Sequence, residues 1–278
     1  MDIKLAGHRS MTMSLVASAM LAMTGATLAS PSSSPQADEL GPDSVILRME
    51  TVGGFAPLPV LLLRVPTFTL YADGRAIFQP LDAPLMRVHL DQQRTDDLIR
   101  FALQEGGLAD ARSEYTLSGI ADATTTVFTL ALDDVRKRVS VYALGIDARG
   151  PDRAAYEAFE RLAGTLADLG SWLPDGSDIA PYEPTAYLGI FAAEDPERPG
   201  LIDWPWDDLV PEDLRIVVEA PFYRTVVMTA DQVAALAPIP SREDALAFVA
   251  SPDGSAYRVM IRPLLPDELP ADEADDQA

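Results

Sequence analysis

The chain contains no cysteine. Disulfides, thiolate metal sites and cysteine nucleophiles are therefore excluded together. Histidine is nearly as scarce, with His8 and His89 only. His8 belongs to the N-terminal segment discussed below, which leaves His89 alone in the rest. A Ser-His-Asp triad would have to use it, and no Gly-x-Ser-x-Gly elbow accompanies it. His89 stands between Val88 and Leu90 in a strand pattern, where an ordinary structural histidine is expected. Zinc needs three or four nitrogen or sulfur ligands, which one histidine cannot supply. Gly53-Gly54 and Gly106-Gly107 punctuate turns and do not form a phosphate-cradling Gly-x-Gly-x-x-Gly loop. No catalytic constellation, resident metal or cofactor is expected on these grounds.

Positive charge is also short. Lysine occurs only at Lys4 and Lys137, and 21 Lys and Arg face 43 Asp and Glu, a net charge of −22. Such a field repels phosphate backbones and anionic lipid, so nucleic acid is not an expected partner. So many carboxylates make any one pair uninformative, and a glycosidase-like pair is available only on paper. Long apolar runs are missing after residue 28. The longest candidate, Val60-Leu61-Leu62-Leu63, is stopped by Arg64 and Pro66, so no stable span is expected there.

The first thirty residues carry the clearest positive signal. Lys4 and Arg9 precede an apolar, small-residue run from Met11 to Leu28, and Thr27-Leu28-Ala29 offers small residues at a cleavage site. That order reads as a secretory signal spanning 1–29. A membrane anchor is the alternative, but Ser14, Ser18, Thr24 and Gly25 dilute the run. Residues 30–43, beginning Ser30-Pro31-Ser32-Ser33-Ser34-Pro35, read as a flexible leader. From Asp267 to Ala278 there are six acids and no base, and this stretch is expected to be a disordered tail. An exported fold without disulfides is held by its core alone, for which the remaining chain is long enough.

Between leader and tail the pattern falls into two halves, 44–170 and 171–266. In the first, Val45 to Glu50 reads as a strand broken at Gly53-Gly54. Phe68 to Tyr71 and Ala76 to Phe78 flank Asp73-Gly74, a hairpin signal. Leu85 to Leu90 reads as a strand and Asp91 to Gln104 as a helix. Val127 to Leu132 and Val139 to Leu144 form a hairpin around Asp133-Asp134. A helix from Pro151 carries a stripe of Ala155, Phe159, Leu162, Leu166 and Leu169, stopped by Gly170. In the second half, Tyr187 to Ala192 and Thr225 to Met228 read as strands. Thr229-Ala230-Asp231-Gln232 has the form of a capping box opening a short helix that ends before Pro238. Leu246 to Ala250 and Tyr257 to Arg262 flank Asp253-Gly254 as a third hairpin. The order strand, helix, hairpin occurs twice. The expected fold is α+β, with two similar subdomains of antiparallel hairpins, each packed with one or two helices.

Several segments run through nearly the whole of this stretch as a signature. They are Val45-Ile46-Leu47-Arg48, Gly53-Gly54-Phe55, Pro66 to Arg75, Thr124 to Leu130, Val139 to Gly145 and Arg262 to Glu268. In them the chain resembles an uncharacterised family of exported proteins and lipoproteins from actinobacteria and related high-GC bacteria. The resemblance implies an envelope or extracellular location and no particular activity. Many members of that family look like lipoproteins; this chain lacks the lipobox cysteine and with it the basis for tethering.

Two segments are candidates for chemistry. Asp203-Trp204-Pro205-Trp206-Asp207-Asp208 sets two of the three tryptophans beside acids in a Pro-interrupted loop. Exposed, Trp204 and Trp206 with Asp207 and Asp208 would bind a sugar face or a protein partner; folded back, they would cover core. Asp175-Gly176-Ser177-Asp178 offers oxygens as calcium sites do, but lacks an EF-hand loop and suits a plain turn. The resulting expectation is a non-enzymatic exported protein that binds an envelope protein or polysaccharide. A carboxylate-dependent hydrolase of unfamiliar type and a purely structural envelope protein are the alternatives.

Overall fold

Fourteen strands and five short helices account for the regular structure in a computed structural model that describes residues 41–132, 135–218, 220–236 and 246–269. The signal segment, most of the leader, the Asp133-Asp134 turn and the tail beyond Leu269 lie outside the described residues. The fold is mixed α+β with two multi-stranded sheets.

The first part of the chain runs β1 (Val45–Gly53), α1 (Leu58–Leu62), β2 (Phe68–Tyr71), β3 (Arg75–Phe78), β4 (Met86–His89), α2 (Gln92–Leu103), β5 (Glu114–Tyr115), β6 (Thr124–Leu132), β7 (Val135–Tyr142), α3 (Arg153–Ala167), α4 (Leu169–Trp172) and β8 (Ala180–Pro181). Its sheet has the order β5-β7-β6-β1-β2-β3-β4-β8. β8 lies beyond residue 170 yet pairs with β4, so the first sheet continues past the boundary expected there. The second part runs β9 (Ala186–Glu194), β10 (Ile202–Asp203), β11 (Arg215–Val217), β12 (Ala220–Thr229), α5 (Ala230–Ala234), β13 (Leu246–Ala250) and β14 (Ala256–Pro263). Its sheet has the order β10-β13-β14-β9-β12-β11.

The β2–β3 turn is where Asp73-Gly74 places it. Gly74 has φ +89°, and a Cβ there would stand 2.4 Å from the Leu90 carbonyl oxygen, so only glycine fits. α2 starts at Asp91, whose carboxylate accepts from the Arg94 N–H at 2.8 Å. Thr229 and Gln232 close the capping box on α5 reciprocally. Gly170 does not stop the third helix. α3 ends earlier, at Asp168, whose backbone leaves the helical region at φ −116°, ψ 54°, and Gly170 lies inside α4. The stripe of α3 is otherwise as spaced: Phe159, Leu162, Leu166 and the following Leu169 are buried, with Tyr156 beside them. Each such side chain removes apolar area worth about 1.5–3 kcal/mol from water.

Strand alternation gives each sheet two faces. One face of the first sheet, with Leu47, Phe68, Leu70, Phe78 and Val88, packs under α2 and α3 in the main core. Its other face carries Arg48, Thr69, Tyr71, Ile77, Arg87 and His89. The chain leaving β14 crosses part of this face. Leu265 is fully buried against Tyr71, Ile77 and Leu85. Pro266–Glu268 then forms a single 3-10 turn. Asp267 was expected to open a disordered tail; instead its carboxylate is held by the Arg48 guanidinium at 2.7 Å and accepts from the Tyr71 hydroxyl at 2.7 Å. Glu268 is likewise fixed, by two 2.9 Å bonds from Arg262. Each acid meets an arginine that strand alternation has aimed at it, which composition alone does not show.

The second sheet is covered in return by the first part of the chain. Leu62 and Leu63, at the end of α1, pack on Ile190, Ala192 and Met260.

Removing the Asp267 carboxylate leaves the Arg48 guanidinium, only 17% exposed, without its counter-charge. Asp267→Ala should therefore lower unfolding free energy by about 3 kcal/mol, and Asp267→Asn by less. Urea denaturation of the three proteins measures this, and an unchanged midpoint in the alanine variant would show the contact to be dispensable.

Candidate functional site

The tryptophan loop is not an exposed binding surface. Trp206 is 5% exposed, and Trp204 packs beside it in the core of the second sheet. The two indoles meet edge to face at 4.9 Å, and Phe191 lies 6.0 Å from Trp204 and 5.9 Å from Trp206. Each indole N–H donates inward at 2.6 Å, Trp204 to the Leu209 carbonyl and Trp206 to the Gln232 carbonyl. Asp207 and Asp208 remain at the surface. Asp208 accepts from the Gln232 side-chain amide at 2.9 Å, so it braces the loop on α5.

The physical reason is a shortage of cover. Among the described residues the helix in this part of the chain is the five-residue α5, so the loop supplies the missing apolar mass and buries its aromatic rings. Gly189 on β9 makes room for the Met228 side chain of the adjacent strand β12, since a Cβ there would stand 2.5 Å from the Met228 sulfur. The brevity of the helical segment in the second half was the available signal that these tryptophans would be needed inside. Asp175-Gly176-Ser177-Asp178 is a turn in which Ser177 N–H and Oγ both bond the Pro174 carbonyl. Among the described residues, no three His, Asp or Glu side chains come together to hold a metal ion.

A concavity lies on the first sheet, beside the segment that follows β14. It is a cleft of about 510 Å³ floored by β3, β4 and β8 and walled by Pro266 and Leu269. Register explains its floor. β3 pairs with β4 at Arg75↔His89 and Ile77↔Arg87, and β4 pairs with β8 at Arg87↔Ala180. Arg75, Ile77, Arg87 and His89 therefore share one face, with Ala180 beside Arg87. Asp178, two residues before Ala180 in the continuation of that register, lines the same cleft, as does Glu183 on the other side of β8.

The charges of this floor divide into two kinds. Arg75 is occupied: it makes ion pairs with Asp43 and Asp73 and lies 5.3 Å above the Tyr71 ring. Burial works against its charge, but the bonds from the two carboxylates outweigh that and hold it more firmly protonated. Arg87, His89, Asp178 and Glu183 are exposed, and among the described residues none of their side chains has a hydrogen-bond or ion-pair partner. Sequence reasoning weighed His89 as structural and Asp178 as a turn residue. It passed over Arg87 and Glu183, because nothing local to either reveals that β8 returns to β4.

Tyr182 closes one wall. Its hydroxyl donates to the Leu264 carbonyl at 2.8 Å. Burial, with Glu268 and Asp267 nearby, pushes the phenol up to about 12. Tyr71 is raised further, first by burial and then by Asp267.

No family model matches the chain, and neither does any curated protein or solved structure.

Two outcomes follow from this geometry. Trp206→Ala empties a buried, hydrogen-bonded position and should cost about 3–5 kcal/mol. A melting temperature within a degree of the parent would return the loop to the surface. The raised phenols fix the alkaline limit. The unfolded chain releases tyrosine protons near pH 10 while the native chain holds that of Tyr182 to about 12. Stability is thus full below 10 and lost as pH rises through the interval above it. The urea midpoint should be flat from about pH 7 to 9.5 and fall beyond 10. Tyr182→Phe should fall less steeply, and a parallel decline would assign the loss elsewhere.

Proposed function

We propose that this is an exported, non-enzymatic binding protein of the cell envelope or extracellular space, and that its binding site is the open half of the first sheet's outer face. The observation that carries the reading is the cleft itself. Its volume of about 510 Å³ falls in the range of small-ligand pockets. It is lined by charged side chains of both signs that have no partner among the described residues, as a recognition surface does and a packing surface does not. The N-terminal signal pattern and the resemblance to exported proteins support the location. Among the described residues no helix is long and apolar enough to cross a membrane.

The two sheets are read as two subdomains of similar ingredients. Each has a long opening strand, β1 or β9, flanked on one side by the β2–β3–β4 meander or the β11–β12 hairpin, and on the other by a hairpin that follows a helix. The hairpins dock in opposite senses: the first of its two strands, β6, lies against β1, whereas the second, β14, lies against β9. This supports a common plan of construction more than a strict internal copy.

The test has two arms in producing cells that express the full chain. Intact mass of the recovered protein should begin at Ser30, showing a cleaved signal. A photo-cross-linking residue at position 89 should capture an envelope component, and one at Glu157 on the far side of α3 should not. Equal labelling at the two positions would remove the cleft from the account, and retention of 1–29 would make the segment an anchor.

A further inference from the structure

On that reading of the cleft, we infer that the ligand is a small zwitterion, an amino acid or a short peptide carrying both free termini. Arg87 and His89 project from β4, two residues and about 7 Å apart on one face. Neither has a carboxylate partner among the described residues, although the chain carries 43 acids. Asp178 and Glu183 flank β8, the adjacent strand at about 5 Å. They have no cation partner among the described residues. The continued β4–β8 register sets Asp178 opposite His89, one strand over, and Glu183 lines the cleft beyond the other end of β8. One cleft thus holds the Arg87 cation and two carboxylates, none of them paired among the described residues.

Opposite charges that line one cleft without pairing with each other leave room for a molecule that answers both. Arg87 presents a planar donor set that matches a carboxylate in bidentate fashion. Asp178 and Glu183 are acceptors suited to an ammonium group. The apolar floor of Ile77 and the wall of Leu269 would take a modest side chain. The global charge selects the same class. A polyanion must work against a net charge of −22, and a polycation would meet Arg87 in the floor. A zwitterion has no net charge for the long-range field to act on, and the local groups decide its binding.

The experiment is calorimetric titration of the purified full-chain protein with dialanine, N-acetyl-dialanine, dialanine amide and free alanine. Dialanine should bind saturably, and blocking either terminus should weaken it by about tenfold or more, the effect of one charge-assisted hydrogen bond. Arg87→Gln should abolish the preference for the free acid over the amide. Asp178→Asn with Glu183→Gln should abolish the preference for the free amine over the acetyl form. Arg136→Gln, on the distant strand β7, should change neither. Saturable binding of alanine alone supports the class and shortens the ligand to one residue. Absence of saturable binding by both zwitterions, or equal binding of free and blocked forms, would overturn the inference. If the titrations fail while cross-linking from position 89 persists, the ligand class falls and the binding site stands. If both fail, both readings fall.

Discussion

The Asp267 carboxylate, held between Arg48 and Tyr71, is the contact on which the arrangement of the two sheets depends. Arg48 sits on β1 with its Nε on Thr69 and its outer nitrogen 2.7 Å from both oxygens of Asp267. Those groups lie far apart in sequence, and closing such a loop costs entropy that a single exposed ion pair would not recover. Here the pair is largely shielded and stands beside the buried Leu265, so apolar burial and charge pairing act on the same few residues. The neighbouring Arg262–Glu268 pair fixes the turn itself. Its Glu268 oxygen also accepts from the Leu265 N–H at 2.9 Å, which sets the turn before the chain reaches Asp267.

The exchange is reciprocal, and this explains why neither sheet is finished by its own sequence. The chain after β14 seals the β1–β2 side of the first sheet, while the end of α1, which interrupts β1 and β2, lies on the second. A sheet with one uncovered apolar face is a poor free-standing unit. Each half lends the other the cover it lacks. The same economy operates inside the second half, where the tryptophan loop takes the place of a long helix. Cover also bounds the cleft: the crossing segment supplies Pro266 and Leu269 as its wall over the floor of β3, β4 and β8.

Local features of this fold were legible in the sequence and long-range ones were not. Asp73-Gly74 and Asp253-Gly254 marked their hairpins because each tight turn needs a left-handed backbone at its glycine, φ +89° and +85°, that few residues tolerate. Thr229-x-x-Gln232 marked a helix start because the bonds it makes are local. The α3 stripe was readable from its spacing. By contrast, the pairing of β8 with β4 rests on two residues, Ala180 and Pro181, with no strand pattern to announce them. Asp267 looked like the start of a solvated tail because nothing nearby in sequence neutralises it; its arginine is more than two hundred residues away. Trp204 and Trp206 were ambiguous for a related reason. An indole beside acids suits a surface or a core edge equally, and only the cover available to the second sheet decides between them.

Charge is where local and global descriptions part most sharply. Read as a total, −22 makes this an acidic surface that repels anions. Read by position, the acids that matter are already committed: Asp43 and Asp73 to Arg75, Asp267 to Arg48, Glu268 to Arg262. On the proposed reading, what the cleft offers a ligand is the remainder, Arg87 and His89 beside Asp178 and Glu183. Beyond about 8–10 Å salt screens the rest of the surface, so a molecule in the cleft would respond to these four groups more than to the sum. A strongly acidic total is therefore compatible with a cleft lined by charges of both signs.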